Sequence, residues 1–234
     1  MPAAHPAFTS LISSALQEPD WPVFDEDYES VLGAVHEGGT FEFHGLQLSS
    51  PAGVYPPRAG GSTRFMADHW GAQGMHKNPK RMLEIGCGSG ALSLLAQRLG
   101  WDVSACDVDA LAVATAQANA HANGATLNAY QSDLFSAVPA EEFDVIVFNF
   151  PLYHKPAAES REIALADQQG DIAARFFRQA PQFLKTEGFV LFTFSNCSRG
   201  ELLENPAWKF EVLGCDYFAR GRYWRAVIKG TPRS

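Results

Sequence analysis

The sequence predicts an α/β protein with a doubly wound, mostly parallel sheet whose last strand is antiparallel. Strand and helix patterns alternate from Lys80 onward. The segment 143–148 is apolar on both faces, as expected for the centre of a parallel sheet. The strand Arg81–Ile85 runs into a glycine-rich turn that opens a helix. Together these observations indicate a nucleotide-type cofactor at the carboxyl edge of the sheet.

Seven strands follow from the apolar patterning, and the helices between them end at glycines. The strands are expected at 81–85, 103–107, 127–131, 143–148, 189–194, 210–218 and 223–229. The helices are expected at 91–99, 110–122 and 171–184, and the last two strands form a hairpin across Gly221. Earlier in the chain we expect helices at 8–17, 25–36 and 62–71 and a hairpin at 41–48. We therefore divide the chain into an N-terminal helical and hairpin lid, 1–50, and a catalytic domain, 51–234.

Composition is that of a globular protein, with 46% hydrophobic and 19% charged residues and no apolar run of membrane-spanning length. The first residues carry no Lys or Arg, so no secretory signal is expected.

Four cysteines without metal-ligand spacing predict free thiols in a reducing cytoplasm and no metal. The net charge of −8 argues against nucleic acid as the main partner and gives no reason to expect a membrane partner. Arg220, Arg222 and Arg225 are interpreted as a solvated strand face.

The glycine loop 86–90 permits two interpretations. Gly86, Gly88 and Gly90 allow a tight turn and leave room for a ligand, and Cys87 is a small residue between them. With Ala91 the loop satisfies the dinucleotide pattern G-x-G-x-x-A, and Asp107 follows about 20 residues on, where a ribose ligand belongs. The same string also matches the E-x-G-x-G-x-G loop that binds S-adenosylmethionine.

The residues around the loop favour S-adenosylmethionine. Glu84 would repel a pyrophosphate but can orient the ammonium of this cofactor. Asp107 and Val108 end the second strand, where the carboxylate can accept hydrogen bonds from both ribose hydroxyls. Ser132-Asp133-Leu134 follows the third strand, where Asp133 can accept from the adenine amine while Leu134 packs on the ring. Asn149 leaves the fourth strand over the position expected for the sulfonium.

The spacing of these sites resembles the seven-strand, Rossmann-like S-adenosylmethionine-dependent methyltransferases. Asn149-Phe150-Pro151-Leu152-Tyr153 resembles the [N/D]-P-P-[Y/F] motif of enzymes that methylate planar nitrogens. The resemblance implies that the Asn149 side chain and the Phe150 carbonyl accept N–H bonds from the substrate. The stretch 43–58 is similar to the lead-in of the release-factor glutamine methyltransferases, which implies that Tyr55 and Arg58 contact the cofactor.

The motif also departs from that family. Phe150 replaces a proline, Leu152 stands where an aromatic residue should stack, and Tyr153 comes one position late. We therefore expect methyl transfer to an amine of a small molecule or peptide. Phe150 and Tyr153, with Phe65 or Trp70, are candidates for an aromatic wall around the cation, and Tyr153 or His154 for the base.

Two alternatives stay open. In the first, the α-amine of S-adenosylmethionine alone displaces methylthioadenosine, and the product is azetidine-2-carboxylate. In the second, the chain is a catalytically silent cofactor-binding module. The sequence leaves the oligomeric state open.

Overall fold

The protein is described by a computed structural model that covers residues 21–70, 80–153, 165–167, 170–218 and 222–233. The predicted helix 8–17 and the candidate base His154 lie outside these residues, as does Gly221. In the described part, no helix is both long and apolar enough to span a membrane.

The chain forms helices and strands in the alternating order that the sequence predicts. The elements are α1 (Trp21–Glu37), β1 (Gly39–Phe43), β2 (Leu46–Ser50), α2 (Ser62–His69), β3 (Arg81–Ile85), α3 (Ala91–Arg98), β4 (Asp102–Asp107), α4 (Ala110–Ala122), β5 (Asn128–Gln131), β6 (Phe143–Phe148), α5 (Asp171–Gln179), β7 (Leu184–Ser195), β8 (Trp208–Phe218) and β9 (Tyr223–Pro232). Short 3-10 helices lie at Ala180–Phe183 and Gly200–Glu204.

Seven strands form one sheet in the order β5-β4-β3-β6-β7-β9-β8, which confirms the predicted fold class. Neighbouring strands from β5 to β7 are parallel, and β9 pairs antiparallel with both β7 and β8. The last strand in the sequence is therefore inserted antiparallel between two others. The order reverses direction between β3 and β6, and this is the point in such sheets where ligands bind.

The predicted boundary between α5 and β7 is wrong. The sequence predicts a helix over 171–184, but α5 ends at Gln179 and a 3-10 turn follows. Pro181 lies in that turn and has no backbone N–H to donate, so it cannot continue the α-helical ladder. The strand β7 consequently begins at Leu184 and crosses Gly188, which the sequence interpretation used as a helix stop.

The N-terminal hairpin β1–β2 packs on the sheet domain through a buried asparagine. Asn119 of α4 donates to the carbonyls of Ser49 and Ser89 (both 2.8 Å) and accepts from the Ser49 N–H at 2.8 Å. One turn later, Asn123 makes an equivalent pair of bonds with Gln47 at the exposed surface. The hairpin is thereby tied both to α4 and to the loop that precedes α3.

The helix α1 lies against the segment that follows β6. Its residues Tyr28, Val31 and Leu32 share an apolar cluster with Leu152 and Tyr153. The tyrosine rings of residues 28 and 153 meet edge to face, with centroids 5.0 Å apart. The division at residue 50 and a lid function for α1 stay predictions, but this contact brings α1 to the carboxyl edge of the sheet.

Candidate active site

The glycine loop joins β3 to α3 and needs left-handed backbone at each of its three glycines. Gly86, Gly88 and Gly90 have φ of 65°, 50° and 78°. A Cβ at Gly86 would lie 2.9 Å from the Phe148 ring, so that position is closed by packing. A Cβ at Gly88 would meet only the Tyr55 carbonyl oxygen, at 3.8 Å, so this glycine faces open space that a ligand can fill. Cys87, between them, is buried and donates its N–H to the Cys106 carbonyl.

Asp107 ends β4 beside this loop with its carboxylate oriented by backbone. One oxygen accepts from the Gly88 N–H at 2.9 Å and the other from the Asp109 N–H at 3.0 Å. Burial raises the pKa of Asp107, and the hydrogen bonds from Asp109 and Gly88 oppose that rise. Asp109 itself caps α4 by accepting from the Leu111 N–H, while Val108 is exposed. Each Asp107 oxygen keeps a lone pair for a hydroxyl, as a ribose contact requires.

Glu84 lies beneath the glycine loop and is almost fully buried. The Ser93 backbone N–H donates to it at 2.9 Å, and the Ser93 hydroxyl donates to the same carboxylate oxygen. Burial raises the pKa of Glu84 to about 8, against the effect of the Ser93 bonds. The carboxyl group is therefore mainly neutral at pH 7, and its contact with a cofactor ammonium stays a prediction.

The segment after β5 places Asp133 at the surface and its two neighbours in the interior. Ser132 donates to the Leu134 carbonyl at 2.8 Å and accepts from the Ala137 N–H, which fixes the turn. Leu134, with φ of 50°, is buried in the core cluster beneath the sheet edge. Arg175 of α5 donates to Asp133 at 2.6 Å, a contact that the sequence did not predict. The adenine contacts of Asp133 and Leu134 stay predictions.

Asn149 follows β6 and is held between two threonines. Thr193 of β7 donates to its Oδ1 at 2.8 Å, and its Nδ2 donates to Thr63 of α2 at 3.2 Å. Thr193 is fully buried, so the amide has a fixed partner on its inner side. Because a carbonyl oxygen accepts two hydrogen bonds, Oδ1 keeps one lone pair for an incoming N–H. Sequence reasoning missed both threonines, which come from distant segments.

The residues after Asn149 pack inward. The Phe150 ring lies among Phe148, Phe177 and Phe192, with centroids 4.5 to 5.7 Å away. Its ring therefore belongs to the core, which corrects the expectation that the ring forms a wall around the cation. Trp70, another candidate for that wall, is also buried in the core.

The motif backbone is fixed by hydrogen bonds. The Leu152 carbonyl accepts from the Ser198 hydroxyl at 2.7 Å and from the Cys197 thiol at 3.3 Å. The Tyr153 N–H donates to the Leu165 carbonyl at 3.0 Å. Pro151, between them, lines a second, smaller pocket of about 240 Å³ behind the motif.

An open pocket of about 530 Å³ brings together Asn149, the lead-in segment and the end of the sheet. Its lining residues are Val31, Tyr55, Arg58, Gly60, Gly61, Ser62, Asn149, Phe150, Leu152, Tyr153, Leu165, Phe218, Tyr223 and Arg225. The predicted residues Tyr55, Arg58, Asn149 and Tyr153 thus share one pocket. Arg225 joins them, although the sequence interpretation placed it on a solvated face.

That interpretation of Arg225 is wrong. Only 10% of the Arg225 side chain is exposed. Its neighbours Trp224 and Ala226 are buried as well. An arginine inside the otherwise apolar run 223–228 was the available signal, because a charge in a strand that is buried on both faces requires specific partners.

Comparison of the sequence with known proteins identifies the family. The family model "Methyltransferase small domain" matches residues 46–205. The ribosomal RNA small subunit methyltransferase C of Chromohalobacter salexigens is 32% identical over 189 residues, 80% of this chain and 53% of the relative. The ribosomal protein L11 methyltransferase of Thermosipho africanus is 36% identical over 125 residues, 53% of this chain and 41% of the relative. The chain thus spans about half the length of these curated relatives.

A solved methyltransferase structure has the same fold. The T. thermophilus 16S rRNA N2 G1207 methyltransferase, in complex with AdoMet and guanosine, superposes with a TM-score of 0.64. It is 22% identical, and the match covers 84% of this chain and 50% of that one. At this identity the likeness shows the fold.

These comparisons overturn the expected partners. The sequence predicted a small-molecule or peptide amine, or the cofactor alone, and excluded nucleic acid as the main partner. The matched relatives are named for ribosomal RNA, for ribosomal protein L11 and for release factors. The prediction failed because net charge averages over the whole surface, whereas a binding site depends on local charge.

Proposed function

Because this chain belongs to the methyltransferase small domain family, we propose that it transfers a methyl group to an exocyclic amine of a base in RNA. The predicted cofactor, S-adenosylmethionine, is confirmed by the family. The RNA substrate is supported by the relative that covers 80% of this chain, a ribosomal RNA methyltransferase.

The glycine loop and Asp107 fit this cofactor. Gly88 leaves open space above the loop where a side chain would intrude, and Asp107 presents two oriented oxygens beside it. In this proposal Gly86, Gly88 and Gly90 bind the amino-acid arm and Asp107 binds the ribose. The bound cofactor supplies an electrophilic methyl group on a sulfonium.

The position of Asn149 is the observation that supports the reaction best. Its Oδ1 accepts one hydrogen bond, from Thr193, and Asn149 lines the pocket. In this proposal the second lone pair of Oδ1 accepts from the substrate. An exocyclic amine can donate to that lone pair and to the Phe150 carbonyl, which directs the nitrogen lone pair at the methyl group. Most of the acceleration then comes from proximity and alignment.

The experiment is to incubate the purified protein with S-adenosylmethionine and three acceptors separately, and to analyse the products by chromatography. The acceptors are unmodified small-subunit ribosomal RNA, ribosomal protein L11 and a release factor. We expect S-adenosylhomocysteine only with the RNA. Product with a protein acceptor alone would contradict the RNA proposal, and methylthioadenosine without any acceptor would contradict methyl transfer.

Two variants separate catalysis from cofactor binding. Asn149→Ala should lose turnover by at least about a hundredfold and keep its affinity for S-adenosylmethionine. Asp107→Ala should weaken cofactor binding by about tenfold or more, since it removes two charge-assisted hydrogen bonds. Full activity in Asn149→Ala would show that the reacting nitrogen is held elsewhere.

A further inference from the structure

The pocket that holds Asn149 is positively charged. Two of its lining residues are the arginines 58 and 225, and none of the described lining residues is acidic. This is unexpected in a chain with a formal net charge of −8. Because a cation in a half-enclosed cavity is costly without a counter-charge, the pocket favours an anionic ligand.

Arg58 supplies the uncompensated charge. Its side chain is half-buried, and its Nε–H is buried without a hydrogen-bond partner. In the described part of the chain, no carboxylate pairs with the Arg58 guanidinium. By contrast, Arg81 and Arg175 each pair with an acidic side chain. The Arg58 guanidinium is therefore available to a ligand in the pocket.

Arg225 is held rigidly nearby. It donates to the Gly60 carbonyl at 2.7 Å and to Asp216 at 3.0 Å, and its guanidinium carbon lies 4.6 Å from the centre of the Phe65 ring. Its Nε–H is also buried and has no hydrogen-bond partner. The contact with Gly60 fixes the turn that carries Arg58. Because Asp216 pairs with the Arg225 charge, Arg225 positions Arg58 and offers its own unpaired Nε–H, while Arg58 carries the uncompensated charge.

We propose that Arg58 and Arg225 bind a phosphate of the target nucleotide and so set the position of its base at Asn149. This inference rests on the proposed RNA substrate and names the contact that would recognise it. A guanidinium presents a fork of N–H donors that matches phosphate oxygens, and such contacts fix orientation on nucleic acid. It also reassigns Arg58 from the cofactor to the acceptor.

The anion site is tested without any enzymatic assay, on the uniformly ¹⁵N-labelled full chain. Inorganic phosphate is titrated while the Nε–H resonance of Arg58, identified by its loss in Arg58→Lys, is followed by NMR. We expect a saturable shift that sodium chloride of equal ionic strength does not reproduce. Arg98→Lys, whose arginine donates to the His44 carbonyl, is the control and should leave the titration unchanged. An equal response to chloride, or a stronger one to acetate than to phosphate, would overturn the phosphate site.

The role in acceptor binding is tested with Arg58→Gln. We expect the KM for RNA to rise at least about tenfold, with the Kd for S-adenosylmethionine unchanged. The slope of log KM against log salt concentration should become smaller by about one, because one phosphate contact is lost. A loss of cofactor affinity with the KM for RNA unchanged would assign Arg58 to the cofactor and refute the inference. If phosphate saturates the site but no RNA is methylated, the proposed function fails while the anion site stands.

Discussion

At the scale of single residues, the orientation of Asn149, the proposed acceptor-binding residue, depends on groups that the sequence pattern could not connect. Asn149 was predicted from its place after a strand. Thr63 and Thr193, which orient its amide, come from α2 and β7. No local motif links three such distant positions, because their proximity arises only when β6 and β7 pair and α2 packs over their ends.

The first prediction concerns Thr193. Thr193→Val removes the hydrogen bond to Asn149 Oδ1 while nearly preserving volume, so kcat should fall about tenfold or more. The KM for S-adenosylmethionine should not change, because Thr193 acts through Asn149. Thr193→Ser restores the hydroxyl and should recover most of the rate. Equal losses in the Val and Ser variants would show that packing, rather than the hydrogen bond, matters at this position.

The second prediction concerns Glu84. With its pKa raised from 4.5 to about 8, the folded protein binds a proton that the unfolded chain releases. The stability of the cofactor-free protein should therefore fall as pH rises from about 5 to 8, by up to roughly 1 kcal/mol per pH unit from this group.

Urea unfolding of wild type and Glu84→Gln over that range checks the Glu84 prediction. The Gln variant should show a flatter profile. Glu211→Gln, at an exposed position of β8, serves as the control and should keep the wild-type slope. Parallel profiles for wild type and Glu84→Gln would show that the carboxyl group is ionised at neutral pH.

At the scale of elements, most of the fold follows from local signals. The strands β3 and β6 and the helix α4 begin and end at the predicted residues. Gly86 follows β3, Asp109 caps α4, and β6 is delimited by its apolar run. The boundary between α5 and β7 could not be predicted from glycine placement. There Pro181 ends the helix, and pairing with β6 extends the strand through Gly188.

The third prediction distinguishes two effects of a side chain at Gly88, namely a clash with the cofactor and strain in the left-handed backbone. Gly88→Ala and Gly124→Ala both place a side chain on left-handed backbone, with φ of 50° and 71°, and should each cost about 1–2 kcal/mol of stability. Only the Cβ at Gly88 enters the cofactor site. S-adenosylmethionine affinity, measured by calorimetry, should drop about tenfold or more in Gly88→Ala and stay unchanged in Gly124→Ala. Equal affinities would place the cofactor away from the loop.

The fourth prediction concerns the asparagine that docks the hairpin. Asn119→Ala leaves the part-buried N–H and C=O of Ser49 and the buried carbonyl of Ser89 without this partner, so the free energy of unfolding should drop by about 2–3 kcal/mol. Asn123→Ala removes an equivalent pair of bonds at an exposed position and should cost less than about 1 kcal/mol. Urea unfolding compares the two. Similar losses would mean that the hairpin contributes little to the stability of the domain.

At the scale of the whole molecule, the net charge was a poor guide to the partner, whereas the alternation of strands and helices predicted the fold class correctly. The fold class and the cofactor loop could be predicted because each leaves a periodic or glycine-marked signal. The charge of the pocket could not, since a net charge of −8 gives no sign of a pocket whose charged lining residues are both arginines. The apolar run around Arg225 was a signal that this arginine is buried, but its place in the pocket follows from the position of β9 between β7 and β8.

In the proposed reaction, a base of RNA receives the methyl group at Asn149. Its most direct test uses S-adenosylmethionine with a deuterated methyl group, unmodified small-subunit ribosomal RNA, and mass spectrometry of the digested nucleosides. We expect one labelled nucleoside, methylated on an exocyclic amine, with wild type and none with Asn149→Ala. RNA without label, or label that persists in Asn149→Ala, would contradict it.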